Sequence, residues 1–256
     1  MKPEAADLQA CAEIVAKGDP QRFRALMAAP LPARECLLPL YAFNVEVSRA
    51  PWVTAEPMIA QMRLQWWRDA VEEIGQGGPV RRHEVTTPLA AVLPPEAAPL
   101  LDALIAAREW DIFSEPFEDE AALEAYLSDT SANLLRAAAL ALGAGDAPAL
   151  ADLGYAHGLA NYLLAIPQLE AAGRKPLVDG RAESVGVLAK AALARFTAAR
   201  RQPIPAEAIP ALLPLHDTAA ILKKAAKAPQ AVAQGALAPA PIASRLRLIK
   251  ATTLGF

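Results

Sequence analysis

Histidine is nearly absent from this 256-residue chain: only His83, His157 and His216 occur, widely separated. No histidine-based metal site is expected from them. Cysteine is as scarce. Cys11 and Cys36 lack metal-ligand spacing and read as reduced thiols of a cytoplasmic protein. Positive charge is not in excess, and a net charge of −3 argues against a nucleic-acid partner. Long apolar runs are missing too. The most apolar window, residues 137–142, is far too short to span a bilayer. The opening MKPEAADLQACAEIV carries acids and no apolar run, so neither a secretory signal nor a transmembrane helix is expected. Any membrane contact should then be peripheral. Sustained period-two alternation, the mark of a strand, is absent as well.

What is present is alanine-rich and helical in period. Hydrophobic residues make up 54% of the chain, and 23 prolines separate the periodic segments. That pattern predicts short packed helices in one all-α domain spanning residues 1–256, long enough to bury a large core.

Residues 34–74 organise the reading: two helices joined at Pro51-Trp52. The first is apolar nearly all round and should be buried. One face carries Leu38, Tyr41, Val45, Ser48 and, at the exit, Trp52; the other flank carries Glu35, Glu46 and Arg49. Thr54 is the expected N-cap of the second. Its expected buried arc is Met58, Ile59, Met62, Trp66, Trp67, Ala70, Val71 and Ile74, with Arg63 in the middle. Arg63 either snorkels at the edge or pairs with a buried acid such as Glu46.

This stretch resembles the squalene/phytoene synthase family. Arg34, the run Leu40-Tyr41-Ala42-Phe43 and the later Arg63-Leu64-Gln65-Trp66-Trp67-Arg68 stand in the family's order. The resemblance implies an isoprenoid-synthase-like helical bundle around a central cavity. It also implies where the chain departs from catalytic members. They follow L-Y-A-F with an arginine and a D-D-x-x-D set; here those positions are Val45, Ser48, Arg49 and Trp52.

A second region, GLANYLLAIPQLEAAGRKPLV, fits the frame L-T-N-I-L-R-D-x-x-E-D followed by G-R and L-P. Asn161, Leu163, Gly173, Arg174 and Leu177 match. The frame's arginine is Leu164, its first aspartate Ala165 and its last aspartate Leu169. Pro167 is expected to break the helix there. His157 and Asn161, at i and i+4, share a face as either a residual polar cavity site or a packed hydrogen-bonded pair. Arg174 and Lys175 form a small basic spot.

Elsewhere, residues 95–113 and 120–142 each read as one helix. Arg81-Arg82-His83 is either a basic contact patch or a solvated loop. Residues 242–253 form a basic amphipathic helix that either lies on a membrane or packs on the core.

Prenyl coupling begins by ionising an allylic diphosphate, and the departing charge needs magnesium held by carboxylates. With neither D-x-x-x-D nor D-D-x-x-D present, no catalytic or metal residue is assigned and no cofactor is expected. Magnesium enters only under the alternative, a prenyl-diphosphate transferase of altered chemistry. The order L-Y-A-F-N, E-x-x-R, E-P-M and R-L-Q-W-W-R-D resembles the branch of this family that serves as a respiratory complex I assembly factor. The expected function is therefore non-catalytic binding, with complex I subunits or assembly intermediates as partners. An isoprenoid- or lipid-binding protein is the third reading, expected to keep a tunnel lined by Tyr41, Val45, Trp66 and Asn161.

Overall fold

Proline and glycine punctuate the fold as the sequence suggests. In the computed structural model, which describes residues 3–113, 115–253 and 255, every regular element is helical and no strand occurs among the described residues. The order is α1 Ala5–Gly18, α2 Pro20–Met27, α3 Leu31–Arg49, α4 Pro57–Gly75, α5 Thr86–Val92, α6 Ala98–Ala107, α7 Trp110–Phe113 and α8 Glu120–Leu127. There follow α9 Asn133–Ala141, α10 Pro148–Ala171, α11 Ala182–Ala199, α12 Ile209–Leu212, α13 Thr218–Lys227, α14 Gln230–Ala233 and α15 Pro241–Thr253. Proline opens α2, α4, α10 and α15, where its missing N–H leaves nothing unsatisfied.

The centre is α10. It is apolar on all sides and packs against α8, α9, α11, α13 and α14. Leu150, Leu153, Leu159 and Leu163 are fully buried along it. Close approach is built in at Gly154 and Gly158. A Cβ at Gly154 would meet Ala132 Cα at 2.4 Å, and one at Gly158 would meet Ser131 Cβ at 2.7 Å. The facing segment, Ser128–Ala132, is a π turn between α8 and α9, and Ser131 Oγ donates to Gly154 O at 2.8 Å.

Several expectations are corrected. The single helix over 120–142 is interrupted by that π turn, and the one over 95–113 is broken into a 3₁₀ turn, α6 and α7. Pro167 does not break α10, which runs one further turn to Ala171. Burial of Leu163 and Ile166 in the turn before it offsets the lost backbone bond, worth about 3 kcal/mol in an exposed helix. Thr54 does not cap α4; Glu56 is the N-cap residue, and Thr54 Oγ1 accepts from Glu56 N one turn earlier, at 3.1 Å.

The buried face of α4 is also rotated from the expected arc. Ala60, Leu64, Trp67, Val71 and Ile74 are buried, whereas Met58 is 73% and Met62 66% exposed and Ile59 lies at the surface. Periodicity identifies which residues share a face, not how far the neighbouring element extends.

A candidate binding cavity

Gly18-Asp19-Pro20 ends α1 and starts α2, and this places a cation at the wall of a cavity. Asp19 Oδ1 accepts from Arg22 N at 2.9 Å, and its other oxygen lies 3.1 Å from Arg22 Nε. The Arg22 side chain, 12% exposed, lies over the Tyr41 ring with its guanidinium carbon 5.0 Å from the centroid. Arg22 Nη1 and, across from it on α3, Asn44 Oδ1 are buried and make no hydrogen bond within the protein. Both residues line a cavity of about 300 Å³ enclosed by α2, α3, α8, the π turn, α10 and α13.

On the α10 side of the cavity, Asn161 Nδ2 donates to His157 Nε2 at 3.0 Å, and His157 Nδ1 meets Thr218 Oγ1 at 3.0 Å. With Nε2 accepting, Nδ1 carries the proton and the ring is neutral. Burial, then the Arg22 charge, pushes the His157 pKa down to about 3. A second buried group lies at another wall. Arg108 Nη1 donates to Tyr126 OH at 2.7 Å and to Asp111 Oδ2 at 3.1 Å, and Tyr126 OH donates to Asp111 Oδ1 at 3.0 Å. Burial raises the Tyr126 pKa and keeps the phenol protonated. At the third wall Asp217 accepts from Arg247 Nε and from Ser244 Oγ, each at 2.6 Å. The cavity is thus walled by charged and hydrogen-bonding groups, not by the apolar tunnel residues expected.

The sequence-selected residues divide among three places. His157, Asn161 and Ala165 line this cavity. Tyr41 lies behind Arg22, buried, its phenol pushed up to about 12 by desolvation. Val45 is buried against Gly18, whose added Cβ would meet it at 2.3 Å. Glu46, Arg49, Arg63 and Trp66 instead line a second cavity, of about 340 Å³, with His83. There Glu46 pairs with Arg49 on its own helix at 3.2 Å, and Arg63 is exposed and forms no ion pair with Glu46. In place of the expected tie between α3 and α4 through Glu46 and Arg63 there is an aromatic contact. Phe43 of α3 and Trp67 of α4 meet edge to face at 5.5 Å, and Trp67 in turn meets Trp66 of its own helix at 4.9 Å.

The remaining positions lie beyond both cavities. Ser48 Oγ turns back onto Val45 O at 3.0 Å. Trp52 is exposed beneath the Arg174 guanidinium, 4.6 Å from its ring centroid, and Arg174 Nη2 donates to Asp111 O. Leu169 packs half-buried on the core. The basic loop divides: Arg82 is exposed, whereas Arg81 is held by Glu73 at 2.6 Å over the Trp66 ring and His83 packs on Trp66 and Trp67. Among the described residues, no group of three or more His, Cys, Asp or Glu side chains is placed to hold a metal ion. No single helix among them is long and apolar enough to cross a membrane.

The profile of the squalene/phytoene synthase family matches residues 15–178, well over half of the sequence. The chain belongs to that family. Within it, the chain is 31% identical over 167 residues to the NADH dehydrogenase (ubiquinone) complex I, assembly factor 6 homolog of Drosophila melanogaster, covering 61% of this chain and 50% of that one. It is 26% identical over 172 residues to assembly factor 6 of Homo sapiens, covering 61% and 48%. The chain therefore spans about half the length of these relatives.

Two solved structures share the fold. A dehydrosqualene synthase solved with a ligand superposes with a TM-score of 0.74 at 16% identity, covering 97% of this chain and 96% of that one. The squalene synthase of Alicyclobacillus acidocaldarius does so with 0.69 at 18% identity, covering 90% and 94%. In this squalene/phytoene synthase bundle the two diagnostic stretches lie on α3 and α10, and Asn44 and Ala165 bring them to the same cavity. Sequence reasoning missed Arg22, Arg108, Tyr126 and Asp217. The D-P cap ahead of Arg22 was the one local signal; the rest depends on partners far along the chain.

Proposed function

We propose that this family member acts by binding, as an assembly factor for a respiratory NADH dehydrogenase of the complex I type, and does not turn over prenyl diphosphates. The observation that carries this reading is the side-chain chemistry at the family's two motif frames. Magnesium takes hard oxygen ligands, chiefly carboxylates with phosphate oxygens and water. The first frame offers Ser48, bonded to its own helix, the cation Arg49 and Trp52 beneath Arg174. The second offers Ala165 and Leu169. This donor set does not fit magnesium, and electrostatic stabilisation of the departing charge usually supplies most of the rate enhancement in such catalysis.

A protein partner has a surface to use. Trp52, Val53, Met58, Ile59 and Met62 are exposed together at the α3–α4 corner, with Glu46, Arg49, Glu56 and Arg63 nearby. Exposed methionine and tryptophan among charges of both signs suit a polar-rimmed protein interface. The similarity to assembly factor 6 supplies the class of partner. On this reading the protein works on the cytoplasmic side of the inner membrane.

The test is deletion of the gene in a host that carries it, with assembled NADH dehydrogenase read on native gels. The wild-type chain restores assembly, and Asn161→Ala restores it too. Met58→Ser with Met62→Ser does not. Normal assembly in the deletion strain would refute the reading.

One observation favours a second reading, a ligand held without turnover. Arg22 Nη1 is an unpartnered donor at the cavity wall, and this buried guanidinium suits a small anionic headgroup such as an isoprenoid diphosphate. Saturable binding of farnesyl diphosphate, lost in Arg22→Gln, supports it; absence of binding excludes it.

A further inference from the structure

Helix α15 is amphipathic in an unusual sense: both of its faces are specified. Its inner face is fixed by polar contacts and packing. Ser244 and Arg247 bond Asp217, His216 Nε2 meets Ser244 Oγ at 3.2 Å, and Ala251 is buried. Its outer face is apolar and uncovered. Ile242, Leu246 and Ile249 are 74%, 61% and 57% exposed. At 3.6 residues per turn these three fall within about 60° of arc, with Arg245 on one side of the row and Lys250 on the other. No acidic residue lies on the helix. A solvated helix face of this kind is ordinarily polar, so the apolar row needs an explanation.

The charge of the helix and of the chain segment that carries it indicates what covers the row. From Ala182 onward the chain has ten Lys and Arg against three Asp and Glu, a formal +7, whereas residues 1–181 carry −10. The overall −3 hides this separation. The third of the chain that carries α15 is therefore the cationic part of an otherwise acidic molecule. A row of aliphatic side chains flanked by cations, on a helix already folded and anchored, matches the boundary between anionic headgroups and acyl chains.

We propose that α15 docks the protein onto an anionic lipid bilayer, with Ile242, Leu246 and Ile249 entering the headgroup boundary and Arg245 and Lys250 meeting lipid phosphates. This surface is separate from the α3–α4 corner, whose flanking charges are of both signs.

The test is co-sedimentation of the full chain with phosphatidylcholine vesicles, with and without phosphatidylglycerol. Expected is binding to the mixed vesicles, at least tenfold weaker on phosphatidylcholine alone and weakened by added salt. Ile242→Ser, Leu246→Ser and Ile249→Ser together reduce it at least tenfold, as does Arg245→Glu with Lys250→Glu. These positions are exposed, and circular dichroism checks that both variants remain folded. Met58→Ser with Met62→Ser leaves vesicle binding unchanged. No binding to the mixed vesicles at low salt would overturn the proposal, as would binding retained by the triple variant. So would a dimer in solution that the triple variant dissociates, which would make a second copy the occupant of the face.

Discussion

His157 illustrates how a single residue's chemistry follows from its surroundings. Its ring is kept neutral by burial and by Arg22, and both nitrogens are bonded. Its folded pKa of about 3 lies below the ordinary value near 6.5, so the unfolded chain takes up the proton first. The stability due to neutral His157 is complete above about pH 6.5 and is lost as pH falls toward about 3, by at most about 1.4 kcal/mol per unit. Urea unfolding at a series of pH values checks this. His157→Gln should flatten the slope between about pH 6.5 and about pH 5, above the range where ordinary carboxylates titrate.

The thiols give a second residue-scale outcome. Cys11 donates to Glu84 O and Cys36 to Ala141 O, and burial pushes their pKa values up to about 12 and about 11. Neither should react with a thiol reagent at neutral pH on the timescale of a free thiol, and both should react once the chain is unfolded. At this scale the sequence was legible where partners are local, as in the i, i+4 pair His157 and Asn161. It was not legible for Arg22 or Arg108, because Tyr41 and Tyr126 reach them only through tertiary packing.

Among the elements, α10 and the π turn approach so closely that backbone meets backbone. Gly154→Ala would set a Cβ against backbone and should destabilise by about 1–3 kcal/mol, measured by denaturant unfolding. Contact between α3 and α4 is aromatic, so a double-mutant cycle on Glu46 and Arg63 should show no coupling, while Glu46 with Arg49 should show about 0.2–0.5 kcal/mol. Helix existence was readable from apolar period and proline placement. The π turn was not, since residues 120–142 keep an uninterrupted helical pattern through it. Nor was the continuation through Pro167, which depends on burial of Leu163 and Ile166, nor the exposure of Met58 and Met62, which depends on where the neighbouring helices end.

For the molecule as a whole, the bundle and its cavity follow from the helical pattern together with the family resemblance, and the structure has both. The cavity's lining differs from the expected one: Asn161 is the expected tunnel residue found there, and Tyr41, Val45 and Trp66 lie elsewhere. Polar walls, motif frames without carboxylates and an exposed apolar corner are together consistent with a scaffold that binds. The most direct test is diphosphate release from farnesyl and geranylgeranyl diphosphate with excess magnesium, at high protein concentration, beside a catalytic squalene synthase. The account predicts release at the protein-free rate. Release above that rate, abolished by Asn161→Ala, would contradict it and identify the cavity as an active site.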